Sequence, residues 1–461
     1  PTPEPSIPVP PGQLGRTGHI VAADSGVIYV MDEGSRVSIQ LPARWMLVAR
    51  DAFNGVILWK KPMKKWHSHL WPLKSGPTQL ARRLVAMKDR VYITLGVDEP
   101  VSVLDAATGE LIHELPDSKG AEEIIVEGGQ VFVLESPEEW ELNTFLPFHN
   151  VGDQARVRRD FAWNEKKRNV KAYDAITGKR SWGHNNKVAP LTLTSDEHNV
   201  YFHDGEKVVA LNRSSGDVAW SGGKAGRPAQ IRFNFGPKLV VHDGVVLYAG
   251  GDRLLKAFDS QSGKLLWEAP HARGGYQSPE DLLVMKGMVW SAPTTSGRDS
   301  GAFTGRDLRT GEEKVVFPPN VDTYWFHHRC YIAKATDNYL MPSRTGIEFV
   351  DPDKQDWNIN HWVRGGCLYG VMPANGLTYA PPHNCACYPE AKLIGFNALA
   401  PAAPTRELGK VDETNRLEKG PAYGQATDSA GNADSDWPTY RHDNLRSGFS
   451  TTAIGAKLGE K

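Results

Sequence analysis

The chain has 461 residues, with 53 Lys and Arg against 54 Asp and Glu and a formal net charge of −1. That balance excludes bulk electrostatic attraction to nucleic acid or to an anionic membrane, and no apolar run reaches the ~18 residues of a membrane-spanning helix. The 45 Gly, 32 Pro and 14 Trp suit a turn-rich all-β chain whose large aromatics fill a core.

In chain order, residues 1–17 come first. Pro1, Pro3, Pro5, Pro8, Pro10 and Pro11 predict an extended, polyproline-like tether that packs no core. Such a stretch suits the region after a removed signal or between domains. Over residues 18–400 one unit recurs eight times. Each unit carries a β-branched or aromatic cluster behind a Gly, Asp or Asn corner. The clusters are Val27–Val30, Val91–Thr94, Val131–Leu134, Val200–His203, Val245–Tyr248, Met288–Ser291, Tyr339–Pro342 and Leu377–Ala380. Composition and alternation make these strands.

A turn of the type Asp-x-x-(Thr/Ser)-Gly follows the cluster. Clear copies are Asp105-Thr108-Gly109, Asp174-Thr177-Gly178, Asp259-Ser262-Gly263 and Asp307-Thr310-Gly311. Asp51-Gly55 and Asn212-Ser215-Gly216 are degenerate copies. The last two units lose the Thr-Gly, with Asp351 and Asn397 expected at the turn position. In four of the six turns a Trp follows the Gly by four residues: Trp59, Trp182, Trp220 and Trp267. A four-stranded repeat of roughly 40–50 residues predicts a β-propeller: all-β, eight-bladed, with four-stranded antiparallel blades. Within a blade the Asp accepts backbone N–H bonds, the Gly supplies positive φ, and the Trp lies in the outermost strand against the next blade.

Three segments exceed the repeat. The first is 60–80, with Lys60, Lys61, Lys64, Lys65, His67 and His69. The second is an insert at 137–170, acidic at Glu138–Glu141 and basic at Arg156–Arg168, whose halves are expected to pair. Long inserts in compact domains are functional or disordered. After a linker at 401–435 comes the third, 436–461, opening with Asp436-Trp437-Pro438-Thr439-Tyr440-Arg441. It reads either as the strand that closes the ring or as the start of a further unit, and the stop at Lys461 favours the second reading.

The 436–448 stretch resembles the Trp-Pro-x-x-Arg-x-Asp-x-x-x-Ser/Thr-Gly opening of pyrroloquinoline-quinone-like propellers, and the Asp-x-x-Thr-Gly-x-x-x-Trp turns resemble the same superfamily. It includes outer-membrane assembly lipoproteins and quinoprotein dehydrogenases. Arg50–Lys60, His327–Tyr331 and Pro382–Cys387 are similar to a group of large bacterial secreted proteins in which such propellers stand beside other domains. The resemblance implies a periplasmic or extracellular protein.

Candidate chemistry gathers where the repeat departs from itself. Blade 7 enters with Tyr324, Trp325, His327, His328, Arg329 and Cys330; blade 8 enters with His361, Arg364 and Cys367. Cys330 precedes the corner Asn338 by eight residues and Cys367 precedes Asn375 by eight, which puts the two on neighbouring inner strands and predicts a disulfide. Cys385 and Cys387 either pair with each other or bind a soft metal with His383.

Four functions fit these residues. The first is a binding or scaffold module that holds a protein or glycan through the face of blades 7 and 8, with His361, Trp325 and His383 as contacts. The second, implied by the resemblance, is a quinoprotein oxidoreductase using pyrroloquinoline quinone (PQQ) and Ca²⁺. The chain departs from that pattern in having no Cys-Cys pair. The third is a lyase-type glycan enzyme, with His327, His328 or Tyr324 as base and Arg329 or Arg364 to neutralise a uronate. The fourth is a redox or metal site at His383, Cys385 and Cys387. Sequence reasoning favours the first. It expects no nucleic acid, no membrane span and the option of further domains in a longer chain.

Overall fold

The computed structural model describes residues 16–23, 26–33, 44–64, 82–138, 162–231, 237–272, 281–291, 295–296, 299–320, 331–342, 346–360, 362–366, 370–382, 393 and 395–402, with 419–421, 423–424, 445, 447 and 449 beyond them. Contacts divide the chain into two units, Pro1–Pro401 and Ala402–Lys461. In the second, the Lys419 ammonium lies 4.8 Å from the centre of the Tyr423 ring. No helix among the described residues is long and apolar enough to cross a membrane.

The first unit is an eight-bladed β-propeller. Seven blades are four-stranded antiparallel sheets, and three strands of the eighth are described. The innermost strands, in blade order, are Arg16–Ala23, Leu84–Met87, Ala121–Glu127, Thr194–Ser195, Lys238–His242, Leu283–Met285, Lys334–Ala335 and Met372–Ala374. Each aromatic cluster forms the second strand, and the Asp turn joins the third to the fourth, as the sequence predicts. A small hairpin, Thr295–Ser296 with Asp299–Ser300, interrupts blade 6 between its second and third strands.

Three boundaries move. Strand Arg16–Ala23 begins inside the expected tether, with Arg16 opposite Asp32 and Thr17 opposite Met31. The insert of blade 3 ends at Lys166, because Lys167–Asp174 is already a strand that sets Asn169 against Glu135. The basic run hid that strand. Arg168 is buried and its charge is met inside the sheet by Glu122, with Nε to Oε2 at 3.2 Å. At the base of the insert Lys166 pairs with Glu138, one meeting of the acidic and basic halves. In blade 8, Asn397 lies opposite Ala380 at the start of the third strand, not at the turn position.

The core lies between blades. Strand residues alternate in direction, so in blade 1 Val27, Tyr29 and Met31 pack towards blade 8, while Ile28 and Val30 pack towards blade 2. The same alternation builds an apolar cluster at every junction around the ring. At the closing junction the Tyr379 hydroxyl of blade 8 donates to Ala52 O of blade 1 at 3.1 Å.

The Trp of the repeat locks one blade to the next. Trp59, Trp182, Trp220 and Trp267 donate Nε1–H to Ala106, Arg213, Ser260 and Leu308 O at 2.8–2.9 Å; each acceptor follows the turn Asp or Asn of the next blade. The indole covers the turn glycine so closely that a Cβ on Gly263 would sit 2.4 Å from Trp220 Cε3. With φ at +69°, that position is restricted to glycine twice over. Blade 2 uses His113 in the Trp slot, over Gly178. The carbonyl an indole would engage, Ala175 O, instead accepts from Arg90 Nη1 at 2.7 Å and the Tyr92 hydroxyl at 3.3 Å. Burial, and then the charge of Arg90, lowers the His113 pKa.

Candidate functional site at the mouth of the axial channel

The strand order gives the propeller two unlike faces. One carries the tight turns between first and second strands and between third and fourth. There the side-chain oxygen of the turn residue is saturated locally. Asp105 Oδ1 accepts from Ala107 N, Thr108 N and the Thr108 hydroxyl at 2.8–3.0 Å, and Asp174 and Asp307 repeat the arrangement. These bonds stabilise the carboxylate, chiefly through the Thr N–H and hydroxyl, and hold the three aspartates below their usual pKa. The other face carries the connections between second and third strands and from one blade to the next. They vary in length and composition, from Asp204–Glu206 in blade 4 to the insert of blade 3.

Most of the sequence-derived site lies outside the described residues: Tyr324, Trp325, His327, His328, Arg329, Cys330, His361, Cys367, His383, Cys385 and Cys387. Arg364 is described and buried. Tyr331, next to Cys330, packs against Gly370, whose Cβ would fall 2.5 Å from Tyr331 Cδ2. Tyr331 and Gly370, which lies three residues after Cys367, are therefore in contact. On that other face Trp362 and Leu393 are exposed apolar neighbours, joined by Leu393 N donating to Trp362 O at 2.7 Å.

The described residues bring together a set that sequence reasoning missed. Lys238 and Lys334 are the first residues of the inner strands of blades 5 and 7. Arg82 precedes the inner strand of blade 2, and Glu123 lies near the start of that of blade 3. All four therefore sit at the same end of the channel, the loop end. Lys238 feels the charges of Lys334, Glu123 and Arg82. Those charges come from blades 7, 3 and 2. Arg82 Nη1 pairs with Glu123 Oε1, which also accepts from Leu191 N at 2.8 Å. Among the described residues neither lysine has an ion-pair partner. Burial, and then repulsion by Lys334, pulls Lys238 down to about 8; burial pulls Lys334 down to about 8. The only signal in the sequence was register. Two lysines opening inner strands must share one end of the channel.

This donor set does not fit Ca²⁺, which takes carboxylate and carbonyl oxygens. Lys238, Lys334 and Arg82 are cationic, Glu123 is engaged by Arg82, and Asp281, ahead of the inner strand of blade 6, accepts from Ala333 N at 3.2 Å. No cluster of three or more His, Cys, Asp or Glu suited to a metal occurs among the described residues.

Residues 166–316, from the third strand of blade 3 to the fourth of blade 6, match the family model described as outer membrane protein assembly factor BamB. The repeat is of the PQQ-like propeller type. The BamB of Burkholderia pseudomallei is 27% identical over 265 residues, covering 51% of this chain and 67% of that protein. Among solved structures, the computationally designed Ika8 protein aligns over 80% of this chain and 94% of its own, with a TM-score of 0.52 and 14% identity. BamB from Moraxella catarrhalis aligns over 72% and 80%, with a TM-score of 0.42 and 14% identity. The likeness to Ika8 is one of fold.

Proposed function

We propose that this PQQ-like propeller is a binding scaffold of the cell envelope that holds a protein partner on its loop face. The observation that carries the reading is the contrast between the faces. The turn face repeats and spends its polar groups on itself, whereas the loop face varies from blade to blade and presents the exposed pair Trp362 and Leu393. Variable loops on a rigid scaffold are where recognition is carried, and exposed aromatics are frequent interface anchors. The relative named as an assembly factor supports a protein partner and the periplasmic side of an outer membrane. The enzymatic readings, lyase-type or quinoprotein, rest on sequence alone.

The test is position-dependent photocrosslinking of the full chain in its host. A photoreactive residue at Trp362 or Leu393 is expected to give a discrete adduct with an envelope protein. The same residue at Phe53 or Ile176, more exposed than either but on the turn face, is expected to give none. Equal yields from both faces, or no adduct from the loop face, would overturn the reading.

A further inference from the structure

We propose that His203 is an acid-sensitive latch on the loop face. Neutral, it pins the Asp204–Glu206 loop of blade 4 to the connection between blades 4 and 5; protonated, it lets both go while the blades stay folded. The proposal stands apart from what the loop face binds.

His203 is the last residue of the second strand of blade 4 and is fully buried. The connection from blade 3 holds its backbone: N donates to the Thr192 hydroxyl at 3.1 Å, and O accepts from Ala189 N at 2.8 Å. Its ring stacks on Tyr248 of blade 5, with centres 4.5 Å apart and an angle of 10° between the planes. Nδ1 lies 3.1 Å from Gly205 N, and Nε2 lies 3.0 Å from Ala225 O. A backbone N–H can only donate and a carbonyl can only accept, so these two partners assign the neutral Nε2–H tautomer. A proton on Nδ1 removes the acceptor of the Gly205 N–H, sets two donors face to face and buries a cation.

Loss of that bond reaches beyond one residue. Gly205 O accepts from Arg227 Nε at 2.9 Å, and Arg227 Nη2 donates to Glu165 Oε1 at 2.7 Å. The same guanidinium lies 5.5 Å from the centre of the Trp163 ring, and Trp163 N donates to Ile231 O at 2.8 Å. The loop 204–206, the connection 225–231 and the stem 163–165 of the blade 3 insert therefore meet through Gly205.

Of the charges that face the ring, Asp204 and Asp252 favour its protonation and Arg227 opposes it. Asp204 Oδ1 is held by Glu206 N and Lys207 N at 2.9 Å, and Asp252 Oδ1 by Leu254 N at 3.2 Å. The Tyr248 hydroxyl donates to Gly226 O at 3.1 Å. Glu165, paired with Arg227 and Lys187, and the exposed Glu206 stand beyond them. Burial is the largest effect and pulls the His203 pKa down to about 4. An opened loop returns the ring to its ordinary value of about 6.5. The latch is therefore fully set above about 6.5, and opening gains about tenfold for each pH unit as the pH falls from there towards about 4.

The experiment is amide hydrogen exchange on the full chain from pH 7 to pH 4.5, read by mass spectrometry with labelling times scaled to the intrinsic rate. Protection in segments 203–207 and 223–231 is expected to fall about tenfold per pH unit below about pH 6. Segment 124–133, a hairpin of blade 3 without histidine, is expected to keep its protection. His203→Asn retains an oxygen acceptor for Gly205 N and does not titrate, so it is expected to abolish the slope in both latch segments. Should that variant lose the protection of segment 124–133, and with it the fold, the imidazole of the parent chain decides: exchange of its C2 hydrogen is expected to titrate near 4. The proposal is overturned by latch segments whose protection does not change with pH, by an equal slope in segment 124–133, by a slope that survives His203→Asn in the folded variant, or by an imidazole that titrates near the ordinary value of about 6.5.

Discussion

The turn face and the loop face are made by the same strands, yet only one of them repeats. On the turn face each element specifies the next. The Asp fixes the turn, the turn places the Gly, and the Gly leaves room for the indole of the preceding blade. On the loop face the strands end in connections of different length, and the contacts between neighbouring blades differ from one junction to the next, as Arg82–Glu123 and Lys64–Glu99 show. Regularity therefore marks where the ring is held together, and irregularity marks where it is free to differ. The first kind of site should respond to substitution by losing stability, and the second by losing a ligand.

The largest effect should come from the Trp–Gly lock. Trp220→Ala removes a buried indole and its bond to Ser260 O; the expected loss is about 3–5 kcal/mol. Gly263→Ala drives a methyl into the Trp220 ring and imposes left-handed strain, for about 2–4 kcal/mol. Gly55→Ala is the control. Its φ of +73° is similar, but nothing lies within 4 Å of the added methyl, so only the strain remains, about 1 kcal/mol. Denaturant midpoints of the three variants check the order. Equal losses at Gly263 and Gly55 would show that conformation alone, and not the lock, fixes glycine there.

Acid should act on the turn face next. The turn aspartates at 105, 174, 259, 307 and 351 have folded pKa values below their usual range, the hydrogen bonds from the turn being the largest cause. Their contribution is therefore fully present above the unfolded pKa of about 4 and is lost as the pH falls through the lower folded values. Asn212 already fills this role without a charge, accepting from Ser214 N and Ser215 N at 2.9 and 3.1 Å. Asp307→Asn should therefore keep the turn at neutral pH and reduce the loss of stability below about pH 4. Unfolding curves from pH 7 to pH 2 measure it, and an unchanged acid limb would remove Asp307 from the account.

What was legible in the sequence divides along the same line. The blades could be read because Asp, Gly and Trp recur at fixed spacing, and each has a local reason to recur. His113 in the Trp slot was hidden, because its match is Arg90 on Ala175 O rather than a residue of the turn itself. The strand at Lys167–Asp174 was hidden by charges that only the buried partner Glu122 explains. Lys238, Lys334, Arg82 and Glu123 come from four blades with no shared spacing, and only closure of the ring brings them together. The cysteines and histidines singled out in the sequence belong to connections outside the described residues, so their part in a site rests on register alone.

The smallest expected effect is the sharpest test of the lock. Blade 7 places Gln355, at φ +57°, where other blades have glycine. The residue in the Trp slot of blade 6 is Val315, which has no indole to press on that position. The missing indole of blade 6 and the missing glycine of blade 7 thus fall at one junction. Without the ring above it, the turn has room for a side chain and retains only the conformational cost. Gln355→Gly should then relieve that cost while adding freedom to the unfolded chain, for a net gain below about 1 kcal/mol. The same substitution combined with Val315→Trp should gain more than the sum of the two, because the glycine opens the slot that the indole fills. A double-mutant cycle on denaturant midpoints reads the coupling directly. Strict additivity would mean that the glycine of blade 7 and the indole of blade 6 do not depend on each other.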